Sequence, residues 1–281
     1  MSGALLQVRG LRVGYGKKDP FEVVHGISFD VDRGEFVCII GANACGKTTS
    51  LKALMGLLPV MGGSVCVSGI DIRHMPEHER AKHYAYIPQA HTPPFPFSVA
   101  DVVLMGRTPY INKFSRTTEY DRAVAYSALE LMGITEIAEK HYTKLSGGQQ
   151  QLVLIARALT QQSDILIMDE PTASLDYGNQ HMVLSAMRNL SKLGKAVVMV
   201  THDPDHALYC ADRVVVMDAG TILCDGTPDE CITPDVLNHI YGVGVRIVDI
   251  EVEPGQTERI CIPMKPDDDE GYDTQHRSEK Q

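Results

Sequence analysis

The chain has 281 residues, 44% apolar and 22% charged, with a formal net charge of -10. That length suits one large domain with a subdomain, and that balance suits a globular protein able to bury a core. The negative charge argues against general nucleic-acid binding, which needs a basic face, yet leaves room for a nucleotide at a local positive site.

Composition also marks the ends and the compartment. Between Pro266 and Gln281 lie six acids and two bases, a net -4, which leaves -6 for the body. With almost nothing to bury, residues 266–281 read as an acidic disordered tail and 1–265 as the folded domain. Seven scattered cysteines without a C-x-x-C pair suit a reducing compartment and no disulfide framework. The start "MSGALLQVRG" is too short and polar for a signal peptide. No apolar run reaches the roughly 18 residues of a membrane span, so any service to a membrane is expected from its cytoplasmic face, as a peripheral subunit.

In chain order, "LLQVRGLRVGYG" and "FEVVHGISFDVDRGEFVCIIG" read as strands, and the continuous apolar run "EFVCII" as one buried on both faces. It runs into Gly41, after which "TTSLKALMGLL" reads as a helix and "SVCVSGIDI" as another strand segment. His74, His78, His83 and His91 flank "MPEHERAKHY", a charged stretch that reads as a solvated helix rather than a metal site. From Pro93 to about Thr160 the pattern is helical. "PPFPFSVADVVLMGRTPY" is proline-rich and then helical; in "TTEYDRAVAYSALELMGI" Thr118 is an N-cap with Asp121 three positions on, and Gly133 is the stop. "LSGGQQQLVLIARALT" is a helix with a glycine-rich entry. Strands return in "DILIMDEP" and "KAVVMVTHD", separated by a helix over Gln180–Leu193, and "RVVVMDAGTILCDG" reads as a hairpin. Strand–helix alternation around a phosphate loop implies a mostly parallel α/β sheet with an inserted helical segment.

That loop is "GANACGKTTS". It meets G-x-x-x-x-G-K-[ST] through Gly41, Gly46, Lys47 and Thr48, directly after a buried strand and before a helix. Backbone N–H groups at a helix N-terminus neutralise a triphosphate, Lys47 reaches its outer phosphates and the Thr48 hydroxyl suits Mg²⁺. "ILIMDEP" ends a buried strand in Asp169 and Glu170, two acids that are costly there without a charged partner. "LSGGQQQ" places Ser146, Gly147 and Gly148 at a second helix start; alone, it is an ordinary cap.

Together "GANACGKTT", Gln89 in "YIPQ", "LSGGQQQ", "ILIMDEP", "SLD" and His202 in "VTHD" resemble, in the same order, the ATP-binding subunits of ABC transporters, over about Leu5 to Ile250. The resemblance implies an ABC ATPase domain over 1–265: an α/β P-loop NTPase with a RecA-like parallel core, an N-terminal antiparallel β subdomain and an α-helical subdomain inserted at about 93–160. It implies ATP and Mg²⁺ as ligands and a homodimer with each ATP between the phosphate loop of one copy and the signature of the other. ATP contacts are then Tyr15, stacked on adenine, with Gly41, Ala42, Asn43, Ala44, Cys45, Gly46, Lys47, Thr48, Thr49 and Gln89, and in trans Ser146, Gly147, Gly148 and Gln149. Thr48, Gln89 and Asp169 would hold Mg²⁺; Asp176 would lie at the dimer seam; Glu170 would be the general base and His202 the γ-phosphate contact.

The stretch "PFPFSVADVVLMGRTPYI" and the ending "GTPDECITPDVLNHIYGVGVRIV" resemble importers of metal chelates: iron-siderophore, haem, cobalamin or related oxyanions. Only 56 residues follow Asp225, little room for a regulatory domain. The resemblance thus implies an energy-coupling ATPase serving two transmembrane permease subunits and, indirectly, a periplasmic or surface binding protein. The alternatives are an exporter ATPase and a soluble ABC-type switch. Within the loop, the family usually has proline and glycine where this chain has Ala42 and Ala44. A positive φ at Ala44 would carry strain of order 1 kcal/mol, a negative one none. Cys45, near a lysine and a helix start, is either an unusually acidic thiol or a small filler, and the filler is favoured.

Overall fold

The computed structural model describes residues 4–16, 21–88, 97–111, 116–253 and 256–264. Gln89, His91, the start of the proline-rich stretch and the 266–281 tail fall outside them.

The chain opens with β1 (Leu6–Tyr15), β2 (Phe21–Val31), β3 (Phe36–Gly41), α1 (Lys47–Leu54), β4 (Val60–Val67), β5 (Ile70–Asp71), α2 (Glu77–His83) and β6 (Tyr84–Ile87). The helices α3 (Val99–Leu104), α4 (Glu119–Leu131) and α5 (Gly147–Thr160) come next. Then follow β7 (Ile165–Asp169), α6 (Tyr177–Lys192), β8 (Ala196–Val200), α7 (Pro204–Cys210), β9 (Arg213–Asp218), β10 (Thr221–Gly226), α8 (Pro228–Cys231) and α9 (Pro234–Tyr241), and last β11 (Val245–Glu253) and β12 (Gln256–Pro263). One sheet is antiparallel, in the order β2-β1-β4-β5; the second has the order β10-β9-β3-β8-β7-β6, parallel except for the edge hairpin strand β10. Among the described residues the strands β11 and β12 pair only with each other. Among the described residues no helix is long and apolar enough to cross a membrane.

The period-2 alternation of a strand explains the layering. Phe36, Cys38 and Ile40 of β3 enter the core shared with α3–α7, while Val37 and Ile39 enter the core shared with the antiparallel sheet and α1. Leu166 and Met168 of β7 split from Ile165 and Ile167 in the same way. All six residues of β3 are buried, at about 2 kcal/mol for each large aliphatic side chain. The sheet is apolar on both sides, and polar chemistry is confined to its ends.

The inserted helices have one charged hub. Arg107, 4% exposed, donates to Asp121 Oδ1 at 2.9 Å, to the Thr160 carbonyl at 3.1 Å and to Gln162 Oε1 at 3.0 Å, and its guanidinium lies over the Tyr110 ring. Asp121 closes the α4 capping box that the sequence implies, its carboxylate accepting from Thr118 N and Oγ1. These bonds and the guanidinium hold its carboxyl down at about 2. Gly106 lets this segment lie on α5, because a methyl group there would sit 2.2 Å from the Arg157 carbonyl oxygen.

Some expectations change. α6 begins at Tyr177, three residues before the expected start, because Asp176 caps it by accepting from Asn179 N at 2.9 Å. The strand pair β11–β12 is absent from the sequence reading. Its inner residues Ile247 and Cys261 pack on the core, and the Cys261 N–H donates to Asp205 of α7 at 2.8 Å. The expectation of no disulfide is corrected: Cys224 and Cys231 are bonded, since the step from β10 into α8 brings their Cα atoms to 5.7 Å. Cys38, Cys45, Cys66, Cys210 and Cys261 are free.

Arg107→Leu leaves Asp121 buried without its cation and should lower stability by about 3 kcal/mol in chemical denaturation. In the native chain Asp121 stabilises above the usual carboxylate pKa. Because its folded pKa is depressed to about 2, that contribution is lost as pH falls from about 4 toward 2, and Arg107→Leu should flatten this acid limb.

Candidate active site at the sheet edge

Three adjacent parallel strands, β3, β8 and β7, end at the same edge of the large sheet. β3 delivers the loop 41–48, β7 delivers Asp169 and Glu170, and β8 delivers Thr201 and His202. Further backbone bonds bind the ends together: Thr201 N to the Ile39 carbonyl at 3.2 Å and Glu170 N to the Val200 carbonyl at 3.0 Å.

The loop is held from behind. A methyl group at Gly41 would stand 2.1 Å from the Met217 carbonyl oxygen, so glycine alone fits against β9. The Gly220 N–H of the β9–β10 turn donates to the Cys45 carbonyl at 3.1 Å, and Ser50 Oγ to the Gly46 carbonyl at 3.0 Å. Lys47, 6% exposed, donates through Nζ to the carbonyls of Gly41 at 2.7 Å and Ala42 at 2.8 Å, so its charge sits inside the loop's curve. Ala44 has φ 62: the strained branch of the two possibilities is the real one. Cys45 is buried, and burial pushes its thiol up despite Lys47 beside it. It is the small filler, and the acidic-thiol possibility is set aside.

Two pairs of groups face each other at the edge. Thr48 Oγ1 donates to Asp169 Oδ1 at 3.0 Å. Burial pushes the Asp169 carboxyl up, with the Thr48 bond pulling the other way; the half-buried Tyr86 near it is raised to about 12, chiefly by desolvation. Glu170 Oε2 lies 3.4 Å from His202 Nδ1, and Glu170 itself adopts φ 48, a left-handed conformation unusual for a non-glycine residue. The side chain of Glu170 is mostly enclosed and that of His202 is 58% exposed. At the end of β1, the half-exposed Tyr15 places its hydroxyl 3.2 Å from Thr49 Oγ1.

His206 is a site-edge residue that sequence reasoning missed. Its Nδ1 reaches the hydroxyls of Thr172 at 3.4 Å and Thr201 at 3.3 Å, and its Nε2 lies 3.5 Å from Asp203. Burial pulls its pKa down, so a neutral ring joins the segments after β7 and β8. The only sequence signal was its place one helical turn after His202.

The remaining expected residues lie elsewhere. Ser146 caps α5, with Gln149 N donating to its Oγ and Ser146 N to Gln149 Oε1, both at 3.3 Å. Ser146 and Gly147 are exposed, and a methyl group on Gly148 would lie 3.4 Å from the Ser174 carbonyl oxygen, two residues before the exposed Asp176. Among the described residues no hydrogen bond or ion pair joins Ser146–Gln149 to the loop 41–49. Gln89 is not among the described residues. Asn43 and Ala44 are the exposed positions of the loop.

A glycine relieves a left-handed φ at the cost of a freer unfolded chain. Ala44→Gly should therefore raise stability by about 0.5 kcal/mol, read as a small increase in Tm; a fall would mean that the alanine conformation is not strained.

Comparison with known proteins converges on one family. The sequence profile of the ABC transporter family matches residues 24–173. An ABC transporter ATP-binding protein of uncharacterised role from Haemophilus influenzae is 40% identical over 237 residues, covering 84% of this chain and 89% of its own. The iron(3+)-hydroxamate import ATP-binding protein FhuC of Bacillus subtilis is 33% identical over 258 residues, covering 92% and 94%. A solved inward-facing structure assigned to the metal-chelate type of ABC transporter superimposes with a TM-score of 0.81 at 28% identity, over 94% of this chain and 99% of that one. With the phosphate loop, the acidic strand end and His202 gathered at one sheet edge, the chain belongs to the ABC transporter family, as an ATP-binding subunit that hydrolyses ATP.

Proposed function

We propose that this subunit powers an importer of metal chelates, and that two copies close around two ATP molecules. The observation that carries the chemistry is the pairing, at one sheet edge, of Thr48 in the first turn of α1 with Asp169 at 3.0 Å and of Glu170 with His202 at 3.4 Å. In this reading the N–H groups of Gly41 to Thr49, including Ala42, Asn43, Ala44, Cys45 and Gly46, cradle the phosphates. Lys47 turns from its two loop carbonyls to the outer phosphates, and Tyr15 stacks on adenine. Glu170 takes a proton from the attacking water, and His202 donates to the γ-phosphate from the opposite side of the pair.

The oxygens of Thr48 and Asp169 are hard donors, and a buried carboxylate is costly without a cation, so the pair fits Mg²⁺. Gln89 completes the set in this proposal. The ion would neutralise phosphate charge as the γ-phosphate leaves. The helix start with exposed Ser146 and Gly147 and half-buried Gly148 and Gln149 would meet the ATP bound by the other copy. The exposed Asp176, close along the chain to Ser174, would lie at the seam.

The partners follow from the same reading. The inserted segment exposes Phe97, Met105, Tyr110, Tyr120, Tyr126 and Leu131, more apolar surface than an isolated subunit needs. That supports docking to two transmembrane permease subunits from the cytoplasmic face, with a periplasmic or surface binding protein delivering cargo beyond them. Import of iron(3+)-hydroxamate by the Bacillus subtilis relative and the metal-chelate type of the structural neighbour support a chelate as cargo.

Glu170→Gln should lower kcat for ATP at least about 100-fold while ATP affinity stays within about twofold, and the variant should trap a dimer in gel filtration with ATP. A normal rate would remove Glu170 as the base. Coexpression with the neighbouring permease genes should copurify a complex whose ATPase responds to chelate-loaded binding protein. ATPase activity indifferent to both would favour a soluble switch.

A further inference from the structure

One ring nitrogen joins the two segments that carry Glu170 and His202. His206 Nδ1 lies 3.4 Å from the Thr172 hydroxyl and 3.3 Å from the Thr201 hydroxyl. Thr172 comes two residues after Glu170, and Thr201 directly precedes His202. Both threonines are buried, and each is fixed by its own surroundings. The Gln180 amide of α6 donates to the carbonyls of Thr172 and Leu175, both at 3.2 Å. Thr201 N donates to the Ile39 carbonyl of β3 at 3.2 Å. His206 sits in the first turn of α7, where Asp203 caps the helix by accepting from Asp205 N at 2.9 Å. The ring is thus mounted on a third element and reaches the other two.

The ring's proton gives the link a direction. Asp203 Oδ2 lies 3.5 Å from Nε2 and favours the proton on that nitrogen, which leaves Nδ1 as an acceptor. Burial pulls the pKa down, against the pull of Asp203, and keeps the ring neutral. Thr201 Oγ1 already accepts from the Asp203 N–H at 3.1 Å, so its own proton is left to be donated to Nδ1. The Glu170–His202 contact needs such a support. Glu170 opens its turn at φ 48, a conformation that persists only where the surroundings enforce it, and His202 is largely exposed. Groups that must meet at a set distance are held there by neighbours whose own places are locked. We propose that His206 is a positioning residue for hydrolysis: by accepting from Thr172 and Thr201 together it sets the distance between the Glu170 carboxylate and the His202 ring, and with it where the attacking water is held. This rests on the reading of Glu170 as the general base.

The test compares His206→Gln with His206→Asn in the full chain. The asparagine amide ends where Nδ1 stands and keeps an acceptor there; the glutamine amide ends where Nε2 stands and gives the threonines up. For each variant kcat, Kd for ATP and Tm are measured, alone and combined with Glu170→Gln. His206→Gln should lower kcat about tenfold with Kd for ATP within about twofold, because the phosphate loop is untouched. His206→Asn should keep kcat within about threefold of the parent. On top of Glu170→Gln, His206→Gln should change the residual rate less than about twofold, since a residue that acts through the base adds nothing once the base is gone. Thr172→Val removes one of the two hydroxyls at nearly constant shape; it should lower kcat as His206→Gln does, and it decides the matter if His206→Gln does not fold. The proposal is overturned if kcat stays within about twofold in both His206→Gln and Thr172→Val, if His206→Asn loses as much as His206→Gln, or if the losses multiply on top of Glu170→Gln. A normal rate in Glu170→Gln alone would remove the base assignment and this proposal with it. If Glu170→Gln is inactive while His206→Gln and Thr172→Val are silent, only the role of His206 falls.

Discussion

The closeness of Gly41 to the Met217 carbonyl is the constraint on which the rest of the site depends. A cradle made of backbone N–H groups binds a triphosphate only if the backbone cannot relax away from it. Here β3 is clamped between β9 and β8, and its last residue has no room for even a methyl group. The β9–β10 turn adds its bond to the Cys45 carbonyl. The loop thus inherits its shape from strands that are buried on both faces, and the apolar alternation of those strands is indirectly what positions Lys47 and Thr48.

The same rigidity explains where strain is kept. Ala44 and Glu170 both hold left-handed conformations, at φ 62 and φ 48. Each costs on the order of 1 kcal/mol and persists only where the surroundings over-determine it. Both sit at the ends of fully buried strands, on either side of the Thr48–Asp169 contact. The strain at Glu170 has a geometric result: the turn after Asp169 sends one carboxylate toward Thr48 and the next toward His202.

Away from the edge, stability rests on different physics. The inserted helices have their own buried ion pair, with Arg107 gathering α4, the end of α5 and Gln162 about one cation. A buried pair of this kind fixes geometry more than it adds free energy. It suits a segment that docks as one body on the proposed permease subunits.

Local sequence determined much of this protein. Strand ends, the phosphate loop, the acids closing β7 and the capping boxes at Thr118 and Ser146 were legible because each is set by a few neighbouring residues: apolar alternation, a glycine at a crowded point, a hydroxyl three residues before its partner. What depends on distant residues was not. One local cap was missed as well: Asp176 starts α6, although the reading by resemblance gave it only a seam. The sign of φ at Ala44 was decided only in the folded loop. The His206 strut joins Thr172 and Thr201, which meet only after the sheet has formed, and the Cys224–Cys231 bond and the β11–β12 pair carried no signal that the sequence reading used. Residue types and spacing carry which groups can do chemistry; which of them face one another is decided by packing, since burial and distance belong to the folded chain alone.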